Sequence, residues 1–316
     1  MYIYTEYARK SLTGYTAIIP QVVNADISRV PATDESYPRQ LRETPGCPSE
    51  LFVRGSLPPA GTPHIAIVGT RKATHDGLMV AREIARDLAR HGIVVVSGLA
   101  LGIDAAAHEG ALQGGGRTVA VLANGLDTVY PPSHEQLARR ILERNGCLLS
   151  EYPLGTPAFP SQFLARNRIV SGLALATVII EAPARSGTLV TAKYALEQGR
   201  EVFVLPGPAR HPNFAGSHRL IREGARLIAT ADDILEDLGL AASEAAEKRS
   251  VTQRTLPLLS ESQRRIFDHL SHSTTTQRPD DISAATGLAP NVVGAELTML
   301  TLLDLVVESG PGFVVR

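Results

Sequence analysis

Cysteine is scarce in this 316-residue chain: there are only two, Cys47 and Cys147, 100 positions apart. Two such residues cannot build a disulfide framework or, alone, a four-ligand zinc site, and they fit a reducing cytoplasm. No apolar run reaches the roughly 18 residues that a membrane span needs, so no membrane association is expected. The first residues, MYIYTEYARK, lack a basic region followed by an apolar stretch and cleavage site, so a signal peptide is not expected. An excess of one charge is also missing. The formal net charge is −1, which argues against a generally basic nucleic-acid coat. Tryptophan is absent and aromatics make up 5%, so any aromatic beside clustered arginines is worth weighing. What is present is a large apolar fraction, 44%, with 20% charged residues. That composition excludes global disorder, and the length suits two or three domains.

The near-zero net charge hides an uneven distribution. Residues 161–230 hold nine Lys/Arg against four Asp/Glu, while residues 231–249 hold two against six. An anion is expected near the positive stretch; the plain alternative is an arginine-rich solvated face.

From Ile65 onward, short apolar runs alternate with helical patterns. IAIVG (65–69), IVVVSG (93–98), TVAVLANG (118–125), CLLSEY (147–152), ATVIIEA (176–182) and EVFVLPG (201–207) read as strands buried on both faces. Between them, 77–92 and 188–199 carry apolar residues at helical spacing and end in glycine. This alternation predicts an α/β fold with a mainly parallel, doubly wound, Rossmann-like sheet. The domains expected are an N-terminal extension packing on the sheet (1–60), the Rossmann-like domain (61–239), a polar linker (240–255) and a last unit (256–316). In that last unit, a helix, a helix–glycine turn–helix and a short hairpin predict a winged helix.

Four loops should crowd the carboxyl edge of the sheet, where open α/β sheets bind ligands. Gly69-Thr70-Arg71 follows the first of these strands, but no GxGxxG fingerprint follows it, so a nicotinamide cofactor is not expected. Arg71 suits a phosphate or guanine contact, or tethers the turn. Ser97 and Gly98 open a second such loop. Ser97, Asp104 and His108 could be offered as a hydrolytic triad, but Asp104 and His108 share one short helical face and the GxSxG elbow is absent. Capping by Asp104 and a hydrogen-bonding role for His108 are expected instead. Phe163, Arg166, Asn167 and Arg168 combine an aromatic ring with two guanidinium groups, the pairing that single strands use for stacking and phosphate binding. The bland reading makes Phe163 core and the arginines surface ion pairs. Ser186, Gly187 and Thr188 stand before a helix, where backbone N–H groups can receive a phosphate.

With these residues in view, the chain resembles the DprA/Smf family of DNA-processing proteins. The resemblance runs from about Ser36 to Leu238, through YPRQL (37–41), VGTR (68–71), SGLALGIDAAAH (97–108), GLDTVYP (125–131), LSEYPLG (149–155), FLARNRI (163–169), EAPARSGTLVTA (181–192), VLPGP (204–208) and GSHRLIREGA (216–225). It implies an extended Rossmann fold that binds single-stranded DNA in natural transformation, protects it and helps load the recombinase RecA, with no catalytic residue, metal or cofactor. It also implies a strand-binding pocket at Gly69, Thr70, Arg71, Phe163, Arg166, Asn167, Arg168, Ser186, Gly187 and Thr188. Pairing of two copies is implied through 216–229, where Leu220, Ile221, Leu227 and Ile228 supply apolar surface. Leu101 departs from the family, many members having lysine there, and no helix-hairpin-helix pattern is evident near the N-terminus. Two other readings compete. A lysine-decarboxylase-like nucleotide hydrolase would use a glycine-rich loop near a glutamate, but its PGGxGT loop is missing and Glu181 precedes the SGT turn. A winged-helix transcriptional regulator is the third, against which the last unit's excess of acidic residues counts.

Overall fold

The computed structural model describes residues 27–240 and 259–316, apart from 272, 274, 275, 304, 310, 311 and 316 and the side chains of 302 and 309. Most of the expected 240–255 linker and residues 1–26 lie outside the described residues. Two compact units result, dividing at Ala241.

The first unit is built on a nine-stranded sheet. Its strands are β1 (Ile27–Pro31), β2 (Glu50–Gly55), β3 (His64–Val68), β4 (Val94–Ser97), β5 (Thr118–Val121), β6 (Cys147–Ser150), β7 (Ala176–Ile179), β8 (Glu201–Val204) and β9 (Arg226–Leu227), in spatial order β1-β2-β6-β5-β4-β3-β7-β8-β9. From β6 to β9 all pairings are parallel, whereas β1 with β2 and β2 with β6 are antiparallel. All six strands read from the sequence are present. Residues 27–55 correct the expectation of an extension lying on the sheet, because β1 and β2 pair into it. Phe52, Val53, Arg54 and Gly55 oppose Ser150, Leu149, Leu148 and Cys147 in register, so this segment covers the edge that β6 would otherwise expose. Its sequence is short of alternation and rich in turn residues, which conceals two short strands, β1 at the edge and β2 inside it.

Helices cover both faces. They are α1 (Arg39–Arg42), α2 (His75–Arg90), α3 (Ile103–Gln113), α4 (Glu135–Glu143), α5 (Pro160–Gly172), α6 (Gly187–Glu197), α7 (Ala215–Arg222) and α8 (Ala231–Asp237). Strand alternation assigns the faces: Ala66 and Val68 of β3 pack with α5, α6 and α7 residues, while Ile65 and Ile67 pack with α2, α3 and α8. Burying each such isoleucine contributes about 1.5–3 kcal/mol, and both are fully buried. The chain steps outward from β3 to β6, then α5 carries it back across to β7, on the other side of β3. This reversal between β3 and β7 is a topological switch point, which leaves a crevice beyond the strand ends. Among the described residues, no helix is long and apolar enough to cross a membrane.

The second unit has helices Glu261–Ser271, Pro279–Thr286 and Pro290–Leu302, then antiparallel strands Val306–Ser309 and Gly312–Val315. Gly287 closes the middle helix at φ 68°, the left-handed position a C-cap glycine takes without strain. Ile266, Leu270, Ile282, Val293, Leu297, Leu300 and Val306 form its core. This is the winged-helix arrangement.

Candidate nucleic-acid interface

At the switch point lies a cleft of about 540 Å³, whose lining includes Gly69, Thr70, Arg71, Phe163, Arg166, Asn167, Ser186, Gly187 and Thr188. The β3, β7 and α5 segments thus converge as the loop positions imply.

The loop after β3 is held from below. Thr70 donates its amide to Glu181 O at 2.9 Å and its hydroxyl oxygen accepts the Lys72 amide at 3.2 Å, so the turn is fixed and Arg71 stands exposed at its tip. The Arg71 guanidinium lies 5.1 Å from the Phe163 ring centroid, a cation–π contact. Tyr130 meets the other side of the site, with its ring centroid 5.3 Å from that of Phe163 and the planes tilted by 55°. Phe163 is half-buried and Tyr130 exposed. Sequence reading missed Tyr130 as a site residue, and only the GLDTVYP stretch of the resemblance marked its neighbourhood. Arg185, also missed, lines the cleft and is exposed.

The loop after β4 is built around a buried guanidinium. Arg166 is 4% exposed and donates to Gly98 O at 2.6 Å and to Val121 O. A Cβ on Gly98 would overlap that guanidinium, so glycine is required there. Asp104 accepts the Gly98 amide at 3.1 Å and the Ala100 amide at 3.4 Å. Burial pushes the Asp104 carboxyl above its ordinary range, opposed by Arg166, the Ala100 and Gly98 amides and Arg71. Burial likewise lowers Arg166 to about 10, with Asp104 opposing, so Arg166 stays charged near neutral pH. Leu99 sits fully buried at φ 56°, a left-handed conformation that a leucine holds only under constraint. Leu101 is exposed.

The first residues of α6 offer an anion site. Ser186 is the N-cap with an extended backbone, its hydroxyl making no cap bond; the Leu189 amide donates to Ser186 O at 3.3 Å, while the Gly187 and Thr188 amides face no intrahelical acceptor. Asn167 ties α5 to this end by donating to Gly187 O at 3.2 Å.

Several expected site residues are placed otherwise. Ser97 is fully buried and donates to Ile67 O at 2.7 Å, so it does not reach the cleft. That bond and the Asp104–amide bonds also dissolve the triad. Arg168 points from α5 to Glu151, in a two-pronged pair at 3.1 and 2.6 Å. The reason is helical: Phe163, Arg166 and Asn167 fall at i, i+3 and i+4 on one face, and Arg168 turns about 100° away from Asn167. Gly98 is buried, both its backbone groups being committed to Asp104 and Arg166. The charge excess over 161–230 is also dispersed, because Lys193, Arg219 and Arg226 pair with Glu197, Glu223, Glu201 and Asp237. The cleft's polarity rests on Arg71, Arg166 and Arg185 against Asp104. Glu181, the glutamate of the hydrolase reading, is fully buried; it accepts from the Thr74 amide, the Thr74 hydroxyl and Asn213, the last at 2.6 Å. Of the four pairing residues, Leu220 and Ile228 belong to the core, Ile221 is half-buried against it, and Leu227 is 57% exposed on β9.

Comparison with known proteins agrees with this architecture. The family model described as DNA recombination-mediator protein A matches residues 28–239, and the DprA winged helix domain matches 251–312. Protein Smf of Escherichia coli is 47% identical over 209 residues, covering 66% of this chain and 56% of that protein. The X-ray structure of DNA processing protein A from Streptococcus pneumoniae superposes with a TM-score of 0.63 at 38% identity, covering 67% of this chain and 74% of that one. A DNA processing protein A from Helicobacter pylori, whose structure concerns its single-stranded DNA binding mode, superposes with a TM-score of 0.61 at 31% identity, covering 68% and 96%. The chain spans a little over half the length of the first curated relatives it matches. With one family model covering 28–239 and its companion the winged helix, the chain belongs to the DNA recombination-mediator protein A family, that of DprA and Smf.

Proposed function

We propose that the protein binds single-stranded DNA along the switch-point cleft, without catalysing a reaction, and delivers it to a RecA-type recombinase during transformation in the cytoplasm. The observation that carries the binding reading is Arg71 laid against Phe163 with Tyr130 beside it, next to the open N-terminus of α6. Aromatic faces stack on unpaired bases of any identity, while guanidinium and helix N–H groups take the phosphates. Duplex DNA hides its bases and cannot use the rings. The recombinase partner and the role in transformation are proposed on the family resemblance, and the engagement of Glu181 by Thr74 and Asn213 weighs against the hydrolase reading.

The test is a titration of labelled single-stranded and duplex DNA at two salt concentrations. Single strands are expected to bind more tightly. Phe163→Ala is expected to weaken binding by about 1–3 kcal/mol. Arg71→Ala is expected to weaken it and to lower the salt slope by about one unit. Unchanged affinity in both variants removes the cleft from the argument.

Pairing of two copies is proposed through the β9 edge and α7, now on Leu227 and Ile221 rather than on all four residues. Two clefts on one particle raise affinity through effective concentration when one strand spans both. Leu227→Glu is expected to give a monomer by light scattering, with weaker binding of long oligonucleotides and unchanged melting. A monomeric unsubstituted protein at micromolar concentration sinks the pairing.

A further inference from the structure

A second cleft, of about 300 Å³, opens beside the first and shares Tyr130 with it. Its other lining residues include Asn124, Asp127, Thr128, Pro132, Thr156 and Pro157. No lysine or arginine lines it, and its one charge is a carboxylate, so a phosphate is disfavoured there. Its ionised group is an acceptor, and the Thr128, Tyr130 and Thr156 hydroxyls can accept or donate. Asn124 is 1% exposed and spends its amide hydrogens on Gly125 O at 2.9 Å, Thr128 O at 2.8 Å and Thr128 Oγ1 at 3.1 Å. Those three acceptors fix the amide's orientation, and they leave Asn124 Oδ1 buried with no hydrogen-bond partner. A buried acceptor without a donor is destabilising until a ligand or water supplies one. Asp127 is exposed; its Oδ1 accepts the Gly155 amide at 2.8 Å, which pins the carboxylate, and each of its oxygens keeps a lone pair beyond that bond. Pro132, Val129 and Pro157 add apolar walls.

We infer that this second cleft is a nucleobase subsite that takes a donor-rich base edge, guanine best, from the nucleotide next to the one stacked at Phe163. The inference rests on the proposed strand binding in the first cleft. The chemistry follows from counting donors. Guanine offers N1–H and the 2-amino group side by side, which a carboxylate accepts in pairs, whereas thymine offers a single N3–H. Tyr130, lining both clefts, is the ring over which the strand passes from one to the other. Phosphates stay with Arg71, Arg185 and α6, so the preference concerns one base position while the rest of the strand is read without regard to sequence.

The experiment uses the full chain and short deoxythymidine oligonucleotides in which a single dG is moved along the strand. One dG position is expected to tighten binding about tenfold over the all-dT strand, the effect of one good two-pronged base contact. With Asp127→Asn, which turns one acceptor into a donor, the ratio of dG-strand to dT-strand affinity is expected to fall from about ten to about one. An all-dT strand that binds, with no dG position improving it, overturns the subsite and leaves the first cleft's reading intact. A dG preference that persists in Asp127→Asn and Asp127→Ala overturns it as well. Failure of every oligonucleotide to bind overturns the strand-binding reading itself, and the subsite with it.

Discussion

Arg166→Ala is expected to lose about 3–5 kcal/mol of folding stability, the range for removing one member of a buried charge network. The guanidinium is almost wholly enclosed and holds the carbonyls of Gly98 and Val121, so its removal strands two buried acceptors. It also leaves Asp104 as a buried carboxylate whose main opposing charge is gone. Arg166→Lys keeps a charge but lacks the planar fork, so an intermediate loss is expected. The measurement is urea denaturation, read as a lower midpoint at constant slope. The same variants separate positioning from phosphate contact. If Arg166 shapes the β4 loop, Arg166→Lys weakens DNA binding while leaving the salt slope unchanged; Arg71→Ala lowers the slope. A fully stable Arg166→Ala whose salt slope falls by one unit would show that the buried geometry is not what matters there.

Arg166 also marks where reading the sequence reached its limit. Strands β3 to β8 were legible because each is a run of apolar residues closed by glycine or a polar turn, and a parallel sheet buries both faces of such runs. The glycines and hydroxyls at their ends marked the edge at which the cleft lies. Residues 27–55 were opaque, because β1 is a short edge strand interrupted by Ser28 and ending in Pro31, and a stretch rich in turn residues separates it from β2. Arg166 and Arg168 look alike in sequence, two positions apart. Once α5 is known to run continuously from Pro160 to Gly172, the helical repeat alone separates them: Arg166 shares the cleft face with Phe163, and Arg168 turns to Glu151. The charge sum over 161–230 misled for a related reason, since it ignores that Lys193 and Arg219 have a glutamate four residues on. Leu220 and Ile228 carry no sign in sequence that the core, rather than a second copy, covers them. Tyr130 lies in a loop with no periodicity, and only the fold brings it to Phe163.

His108 predicts how the sheet unit responds to acid. It is fully buried on α3, with Nδ1 2.7 Å from Thr118 Oγ1, and that hydroxyl donates to Val95 O at 2.7 Å. The hydroxyl's one hydrogen is thereby spent, so Nδ1 must carry the proton and donate to Thr118, leaving Nε2 as a bare lone pair. Nε2 has no hydrogen-bond partner. Protonating it would create a buried cation, and burial, then His134 and Arg166, push the imidazole down to about 3 from an ordinary 6.5. The folded value lies below the unfolded one, so the unfolded chain takes up a proton first as pH falls. The neutral ring's contribution is therefore intact above pH 6.5 and is lost progressively toward pH 3. By pH 4.5, two units below the unfolded value, the loss attributable to this side chain is about 3 kcal/mol. His108→Asn keeps a donor near the Nδ1 position and cannot titrate. It is expected to be less stable than the unsubstituted protein at pH 7.5, because the smaller side chain leaves a void, but to lose about 3 kcal/mol less between pH 7.5 and 4.5. Denaturation midpoints across that range make the comparison, and parallel curves for the two proteins would show that the proton goes elsewhere.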